Sequence, residues 1–343
     1  MEKYARGIRR CLLCTAGIKW DKRVKLVINY VRYFIGIVFT VLVICGGATT
    51  ARTETVVILF SDSLTSTKRT ISGARSVIKR SSDSVSFVNV HLKIGNNVLS
   101  SQIDSVRMAH PDVILTIGST ATRIAKESFP NIPTVFSSVM YPSISGFVES
   151  LDKPGELITG ASLDIPVEIQ FRYFREIVPD LKKIGVLYTS NTARLIPPSR
   201  VVATEMGLEL VAVEITSPSD LGKALESFAL DVDGLWSVAD PNLFDPQSTK
   251  YILLNALKYG LPFMGFSRHV VESGALFAID FDYKAIGRQA GTIVSAVLSG
   301  TKPVNIPVTT PDITWFHYNE RTATRLEIKI PPQLVAIAKE VYR

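Results

Sequence analysis

Cysteine is scarce in this chain of 343 residues, and its placement excludes several kinds of chemistry. All three cysteines, Cys11, Cys14 and Cys45, lie within the first 51 residues. Residues 52–343 therefore cannot form a disulfide or use a thiol as a nucleophile. Cys11 and Cys14 have the spacing of half a zinc site, but no second cysteine or histidine pair completes it. Cys45 follows an isoleucine rather than a small residue, which does not favour lipid attachment there.

Histidine is scarce too, and the motifs of familiar enzymes are missing. The four histidines are scattered without metal-ligand spacing. No glycine-rich phosphate loop of either familiar type occurs. The segment GFSRH (265–269) approaches a hydrolase nucleophile elbow, but His269 stands where a second glycine permits the tight turn. We therefore predict that the protein is not an enzyme and has no catalytic residues, no metal site and no cofactor.

Net charge is missing from most of the chain. Residues 1–51 contain nine lysines and arginines and two acidic residues, whereas residues 52–343 contain 29 of each kind. The formal net charge of +7 thus belongs entirely to the N-terminal leader. A neutral body lacks the overall basic excess that is typical of nucleic-acid-binding proteins. Nucleic acid is therefore not expected as a partner.

The leader, residues 1–51, has the layout of an export signal. Five basic residues between Lys19 and Arg32 precede an apolar run at 33–45, and small residues follow it. This order is typical of a cleaved signal peptide. No charge occurs from Tyr33 to Ala51, so a retained membrane anchor is the alternative. We predict a periplasmic or other extracytoplasmic protein, which contacts the inner membrane only if residues 26–51 are retained.

Beyond the leader, strand-like and helix-like segments alternate, and the alternation occurs in two successive runs. A short apolar segment that is rich in β-branched residues indicates a buried parallel strand. Nine such segments occur, at residues 56–60, 85–92, 113–117, 134–139, 184–188, 209–215, 235–238, 263–266 and 275–281. Strands that alternate with helices predict an α/β fold, here with two doubly wound parallel-sheet lobes.

Small and polar residues follow these predicted strands, at the edge where open α/β sheets bind ligands. Because they do so in both runs, the sequence predicts two facing lobes with a polar gap between them. The candidate ligand-binding residues are Ser61, Asp62, Gly118, Ser119, Thr120, Ser138, Tyr141, Tyr188, Asn191, Asp240, Asn242, Phe266 and Asp282.

The residue types suggest how such a gap would hold a small zwitterion. Asp62, Asp240 and Asp282 each end a strand, and each could bind an ammonium group or only cap a helix or turn. The Gly-Ser-Thr corner at 118–120 could bind a carboxylate through backbone N–H groups, or only cap its own helix. Both interpretations stay open at this point.

Other candidates suit the walls of the gap. Tyr141 and Phe266 could contact an apolar or aromatic part of the solute. Asn191 and Asn242 suit hydrogen bonding to a ligand, although asparagine also suits turns. Trp236 lies inside a predicted strand, so we predict that it belongs to the core.

Several longer segments resemble one known family. The segment VFSSVMYPSISGFVESLDKPGELITGAS (135–162) has an apolar strand, a turn with proline, and a Pro-Gly…Thr-Gly run. Segments at 111–136, 233–246 and 261–291 match neighbouring parts in the same order. Together they resemble the ABC transporter substrate-binding proteins of the type I periplasmic-binding fold, in the branch that includes aromatic amino acid binders. The resemblance covers roughly residues 55–330.

The resemblance implies two lobes, joined by three crossovers, that close on a small-molecule solute. We place lobe 1 at residues 52–160 plus 284–311 and lobe 2 at residues 161–283 plus 312–343. The resemblance also implies that the solute is delivered to an ABC permease driven by an ATPase subunit. Within this family pattern, Asp282 matches the acidic residue that precedes the GRQAG helix.

We therefore predict an exported solute-binding protein of an ABC importer, with an amino acid or similar zwitterion as the solute. Met140 and Tyr141 precede Pro142, where relatives often have a small polar residue and an aspartate, so the ligands of relatives do not transfer directly. A membrane-tethered ligand sensor with the same two lobes is the alternative. A lobe pair that binds only protein is a third possibility, which would present a hydrophobic face instead of a polar cleft.

Overall fold

The computed structural model describes residues 53–82, 84–93, 98–155 and 157–343. The predicted signal peptide or anchor and the three cysteines lie outside the described residues. Residues 53–343 belong to one compact unit. None of the helices in the described ranges is both long enough and apolar enough to cross a membrane.

The first sheet consists of five parallel strands in the order β2-β1-β3-β4-β5. The strands are β1 (Glu54–Phe60), β2 (Val85–His91), β3 (Val113–Ile117), β4 (Thr134–Val139) and β5 (Ile158–Ser162). The helices of this part are α1 (Thr65–Ser81), α2 (Val98–Met108) and α3 (Ser119–Ser128). Four of these strands match predicted ones, whereas β5 was not predicted because its sequence ITGAS is too small and polar to indicate a strand.

Alternating side chains of β1 show why helices cover both faces of this sheet. Val56 and Ile58 pack against α1, whereas Val57 and Leu59 pack with residues of α2 and α3. All four side chains are fully buried. Successive residues of a strand point to opposite faces, so a continuous apolar run requires cover on each side.

The second sheet has seven strands in the order β12-β11-β10-β9-β8-β6-β7. They are β6 (Lys183–Tyr188), β7 (Glu209–Glu214), β8 (Gly234–Ser237), β9 (Phe263–Gly265), β10 (Phe277–Phe281), β11 (Thr314–Asn319) and β12 (Ala338–Tyr342). Around it lie α4 (Val167–Ile177), α5 (Ile196–Glu205), α6 (Asp220–Asp231), α7 (Pro246–Lys258), α8 (Arg268–Glu272), α10 (Glu320–Arg325) and α11 (Pro332–Ile337). The pair β10–β11 is antiparallel, and every other pair in this sheet is parallel. The predicted fold of two parallel-sheet lobes is confirmed.

Helix α9 (Tyr283–Leu298) returns the chain from the second sheet to the first. Its buried residues Ile286 and Ala290 join the core that contains Val56 of β1. Helices α1 and α9 approach each other at glycines: a Cβ atom on Gly287 would lie 2.1 Å from the carbonyl oxygen of Thr70. This backbone contact fixes α9 against the first lobe.

The chain passes between the two lobes three times. It leaves the first sheet after β5, returns between β10 and α9, and leaves again before β11. The last crossover runs beside β5, where the N–H of Ser162 donates to the carbonyl oxygen of Thr309 at 2.8 Å. The residue limits given above for lobes 1 and 2 stay a prediction.

Candidate functional site

A cavity of about 170 Å³ lies between the two lobes, next to the crossovers. It is lined from the first lobe, from the crossover after β5, and from the second lobe. The lining residues include Met140, Tyr141, Asp164, Gln170, Trp236 and Phe266. A concave space with aromatic walls and a few convergent polar groups is typical of small-molecule sites.

The end of β4 carries an irregularity that places Tyr141 at this cavity. The pairing of β4 with β5 shifts between Ser137 and Val139, and the intervening Ser138 has a φ of 58°. A bulge of this kind re-aims the side chains that follow it. The N–H of Ala239 in the second lobe donates to the Tyr141 hydroxyl oxygen at 3.3 Å, so this side chain spans the gap between the lobes.

Asp164 lies in the crossover that follows β5 and supplies the carboxylate of the cavity. Its Oδ1 accepts a hydrogen bond of 2.8 Å from the N–H of Tyr141. Burial raises the pKa of the Asp164 carboxyl to about 6, because low polarity disfavours the charged form, and the Tyr141 N–H offsets only part of this. Within the described ranges no lysine or arginine contributes to this shift. A cationic solute group would therefore be its first countercharge.

The second lobe contributes an ordered polar pair. The indole N–H of Trp236 donates to Oε1 of Gln170 at 2.7 Å, and the Gln170 amide donates to the carbonyl oxygen of Ile165 at 2.7 Å. Trp236 is buried in the core of this lobe, as predicted, and packs edge-on against Phe171. Its ring is thus held in one orientation as a rigid wall of the cavity.

The protein without solute is expected to lose stability as pH rises through the pKa of Asp164. The Asp164 carboxyl ionises at an ordinary pKa near 4 in the unfolded chain and near 6 in the folded protein. The free energy of unfolding is therefore highest below about pH 4, falls as pH rises, and is lowest above about pH 6. Ionisation of the folded protein then costs about 2 to 3 kcal/mol. Asp164→Asn should therefore be more stable than the wild type at pH 8 and similar at pH 4. Urea unfolding at both pH values measures this. If the two proteins differ in their free energy of unfolding by the same amount at pH 4 and pH 8, the prediction is wrong.

Of the thirteen predicted site residues, the structure brings Tyr141 and Phe266 to this cavity. Phe266 also packs edge-on against Phe244, with ring centres 5.1 Å apart. The ligand role of the other eleven stays a prediction, and their positions differ from one another.

Asp240 is buried within the second lobe, and its carboxylate stabilises the turns that follow β6 and β8. Its carboxylate accepts hydrogen bonds from the hydroxyls of Thr189 and Thr192 at 2.7 and 2.6 Å, and from the N–H groups of Thr189 and Asn242. Burial alone would raise the pKa of Asp240, but these hydrogen bonds outweigh it and hold the pKa below the usual range. These contacts fit the alternative that Asp240 stabilises a turn, rather than the one that it binds an ammonium group.

Asp240→Ala is expected to destabilise the protein by about 3 kcal/mol at pH 7, because buried hydroxyl and N–H groups lose a charged acceptor. Since the folded pKa is low, this contribution is present at neutral pH and is lost as pH falls towards that pKa. Asp245→Ala is the matched control, because Asp245 only caps the exposed start of α7 and should cost about 1 kcal/mol. Equal losses in denaturant unfolding of the two variants would overturn this assignment.

Asp62 and Asp282 accept hydrogen bonds from the start of helices α1 and α9. Asp62 accepts from the N–H of Leu64 at 3.0 Å and from the Thr67 hydroxyl at 2.5 Å. Asp282 caps α9 through the N–H of Lys284 at 2.9 Å and forms an ion pair of 2.8 Å with Arg69. Both carboxylates are thus satisfied by protein groups in this conformation.

The Gly-Ser-Thr corner starts helix α3 without a side-chain cap. Gly118 is the N-cap residue, with a φ of 83° that favours glycine, and its own N–H donates to Ser137 within the sheet. Ser119 and Thr120 are exposed in the first turn. The alternative that these residues only cap their own helix finds no side-chain hydrogen bond here, and the first N–H groups of α3 are of the kind that suits an anion.

The remaining predicted residues are spread over both lobes. The Ser138 hydroxyl lies 3.1 Å from that of Thr70, and Ser61 is partly buried after β1. Tyr188 packs against the core of the second lobe, and Asn191 is exposed. Asn242 lines a separate cavity of about 620 Å³ within the second lobe.

Sequence reasoning missed Asp164 and Gln170. Asp164 lies two residues beyond the segment on which the family resemblance depends most, after a strand that was not predicted. Gln170 stands in an amphipathic helix, where a glutamine normally indicates an exposed position. The available signal was the position of Asp164 itself, two residues after the ITGAS segment and two residues before Pro166.

Comparison with known proteins gives one family and one characterised relative. The family model described as ABC transporter substrate binding protein matches residues 73–342. A tyrosine-binding protein of Clostridioides difficile (strain R20291) is 28% identical over 221 residues. The alignment covers 64% of this chain and 64% of that protein, so this chain matches just under two thirds of the relative's length.

Two solved structures share the fold. An ABC domain from Streptococcus pneumonia, in complex with L-Trp, is 20% identical with a TM-score of 0.60. A substrate binding protein with adhesive properties from Clostridium difficile, in its ligand-free, open structure, is 20% identical with a TM-score of 0.68. Each match covers 84% of this chain and 99% of the other.

Proposed function

Because this chain belongs to the family of ABC transporter substrate binding proteins, we propose that it captures a small zwitterion between its two lobes for an importer. The members of this family are solute-binding proteins, so the prediction that the chain is not an enzyme is confirmed. The proposed solute is an amino acid or a similar compound with an ammonium group. The tyrosine-binding relative supports this class of solute.

The observation that carries the proposal is the carboxylate of Asp164 in a cavity lined by both lobes. The Asp164 carboxylate is partly buried, so ionising it without a cation nearby is costly, and an ammonium group that enters the cavity removes that cost. Asp164 therefore takes the role that the sequence suggested for Asp282, whose carboxylate already pairs with Arg69. Trp236 and Phe266 form the wall beside the bound solute.

The lobes would close on the solute as follows. The hydrogen bond from Ala239 to Tyr141 joins the two lobes, so it must break when the gap opens. Solute would enter the open form and pair with Asp164. It would then shift the population towards the closed form, because it binds that form more tightly than the open one. An exported protein would then present the closed, loaded form to an ABC permease that an ATPase subunit drives.

A direct test is to identify what the protein retains. The protein is purified without denaturant, then unfolded, and the released small molecules are identified by mass spectrometry. We expect a compound with a protonated amine in near-stoichiometric amount, whose re-addition raises the melting temperature. A sugar or a purely anionic compound would contradict the zwitterion but not the receptor. No retained compound, and no thermal shift with amino acids and amines, would contradict the receptor as well.

The sensor alternative differs in the fate of the leader. Retention of residues 26–51 in the exported protein favours a tethered sensor, whereas their removal favours a free binding protein. N-terminal sequencing of the exported protein distinguishes the two.

A further inference from the structure

Tyr141 occupies part of the space in which the proposed solute would bind. Its side chain lines the cavity between the lobes, and its hydroxyl oxygen accepts from the N–H of Ala239 on the opposite side. The cavity beside it measures about 170 Å³. The ring and hydroxyl therefore reach from one lobe to the other and limit what fits between them.

The backbone holds Tyr141 in this position from both sides. Its φ of 51° lies in the left-handed region, which is an outlier for so bulky a residue. The N–H of Tyr141 donates to Asp164, and its carbonyl oxygen accepts from the N–H of Ser145 at 2.8 Å. Strained conformations that the surroundings fix in this way are characteristic of ligand sites. These bonds fix the backbone of Tyr141 at the edge of the cavity, and the bond from Ala239 holds its hydroxyl across the gap.

The size of the cavity limits the class of solute. At about 170 Å³, the cavity is smaller than the roughly 300 to 1,000 Å³ of pockets that hold drug-sized ligands. Alanine and serine are among the smallest amino acids, whereas tyrosine and tryptophan have about twice as many non-hydrogen atoms. An aromatic solute would need the volume that the Tyr141 ring fills.

Building on the proposed function, we propose that Tyr141 determines solute size and restricts the site to amino acids of about the size of alanine or serine. The phenol fills part of the gap, while Asp164 remains available to the ammonium group. Removal of the ring should then convert the site into one for aromatic amino acids, with Trp236 and Phe266 as its walls.

The test is calorimetric titration of the full-length protein with L-alanine, L-serine, L-tyrosine and L-tryptophan. The variants are Tyr141→Gly and Tyr141→Asn, because both residues accept a left-handed backbone and circular dichroism can confirm that each folds. Tyr141→Phe keeps the ring, and Tyr251→Ala removes an exposed tyrosine outside this cavity. These two are the matched controls.

We expect the wild type and both controls to bind L-alanine or L-serine at least about tenfold more tightly than either aromatic amino acid. Tyr141→Gly and Tyr141→Asn should gain at least about tenfold in affinity for L-tyrosine or L-tryptophan. If the wild type binds L-tyrosine or L-tryptophan as tightly as these two variants do, the size limit is overturned and the proposed function is left intact. No binding of any of the four amino acids by any variant would also overturn the size limit, whereas the proposed function is decided separately by the compound that the purified protein retains.

Discussion

Asp164→Asn is expected to weaken the binding of an amino acid solute at pH 7.5 by about a hundredfold or more. Removal of one partner from a buried ion pair costs about 3 to 5 kcal/mol, and each 1.4 kcal/mol is a factor of ten in affinity. Asparagine keeps the size of the side chain and can still accept the hydrogen bond from the N–H of Tyr141. The loss therefore reports the charge and not the packing.

The pH dependence of binding separates this charge from other effects. Protonation of Asp164 near pH 6 removes the negative partner, so wild-type affinity should fall as pH is lowered through that value. The affinity of Asp164→Asn should stay nearly flat over the same range. Asp282→Asn is the control, because the Asp282 carboxylate pairs with Arg69 rather than facing this cavity. A larger loss in Asp282→Asn than in Asp164→Asn, measured by calorimetry, would reverse the assignment.

Gly287→Ala is expected to destabilise the protein by about 3 kcal/mol or more. A Cβ atom at this position would lie 2.1 Å from the carbonyl oxygen of Thr70 and 2.8 Å from its carbonyl carbon. Both neighbours are backbone atoms of α1, so helices α1 and α9 must move apart to accept a methyl group. Overpacking of a tight core typically costs about 1 to 3 kcal/mol, and a contact with rigid backbone lies at or above the upper end.

Gly222→Ala is the matched control for this prediction. Gly222 lies in helix α6, where the nearest atom to an added Cβ is the Tyr251 hydroxyl at 3.2 Å. Alanine is a better helix former than glycine by about 1 kcal/mol, so this variant should be neutral or slightly more stable. Denaturant unfolding of both variants measures the difference. A loss below about 1 kcal/mol in Gly287→Ala would show that the two helices separate at little cost.

The arrangement of lobes could be predicted because its cause is local. Runs such as Val113–Ile117 are buried throughout, and such runs indicate parallel strands irrespective of what surrounds them. Strand β11 was not predicted, because its aromatic and polar sequence TWFHYN does not alternate clearly and it pairs antiparallel with β10. Pairing direction depends on how the chain returns from α9, which local sequence does not reveal.

The site was less predictable, because its residues meet only through tertiary structure. The sequence indicates that Asp62, Asp240 and Asp282 follow strands, but not that threonine hydroxyls, N–H groups and Arg69 already satisfy their carboxylates. Conversely, Asp164 stands in a crossover, and only the folded chain brings it beside Tyr141. The left-handed backbone that directs Tyr141 into the cavity also has no signal in a Met-Tyr-Pro sequence.

The most direct measurement is the position of the retained solute in a crystal structure of the loaded protein. We predict electron density between Tyr141, Asp164 and Trp236, with an amine nitrogen within hydrogen-bonding distance of the Asp164 carboxylate. Each lobe also has a cavity of its own, of about 600 Å³ beside Asp62 and about 620 Å³ beside Asn242. Solute bound in one of these, with the space between the lobes empty, would contradict the account.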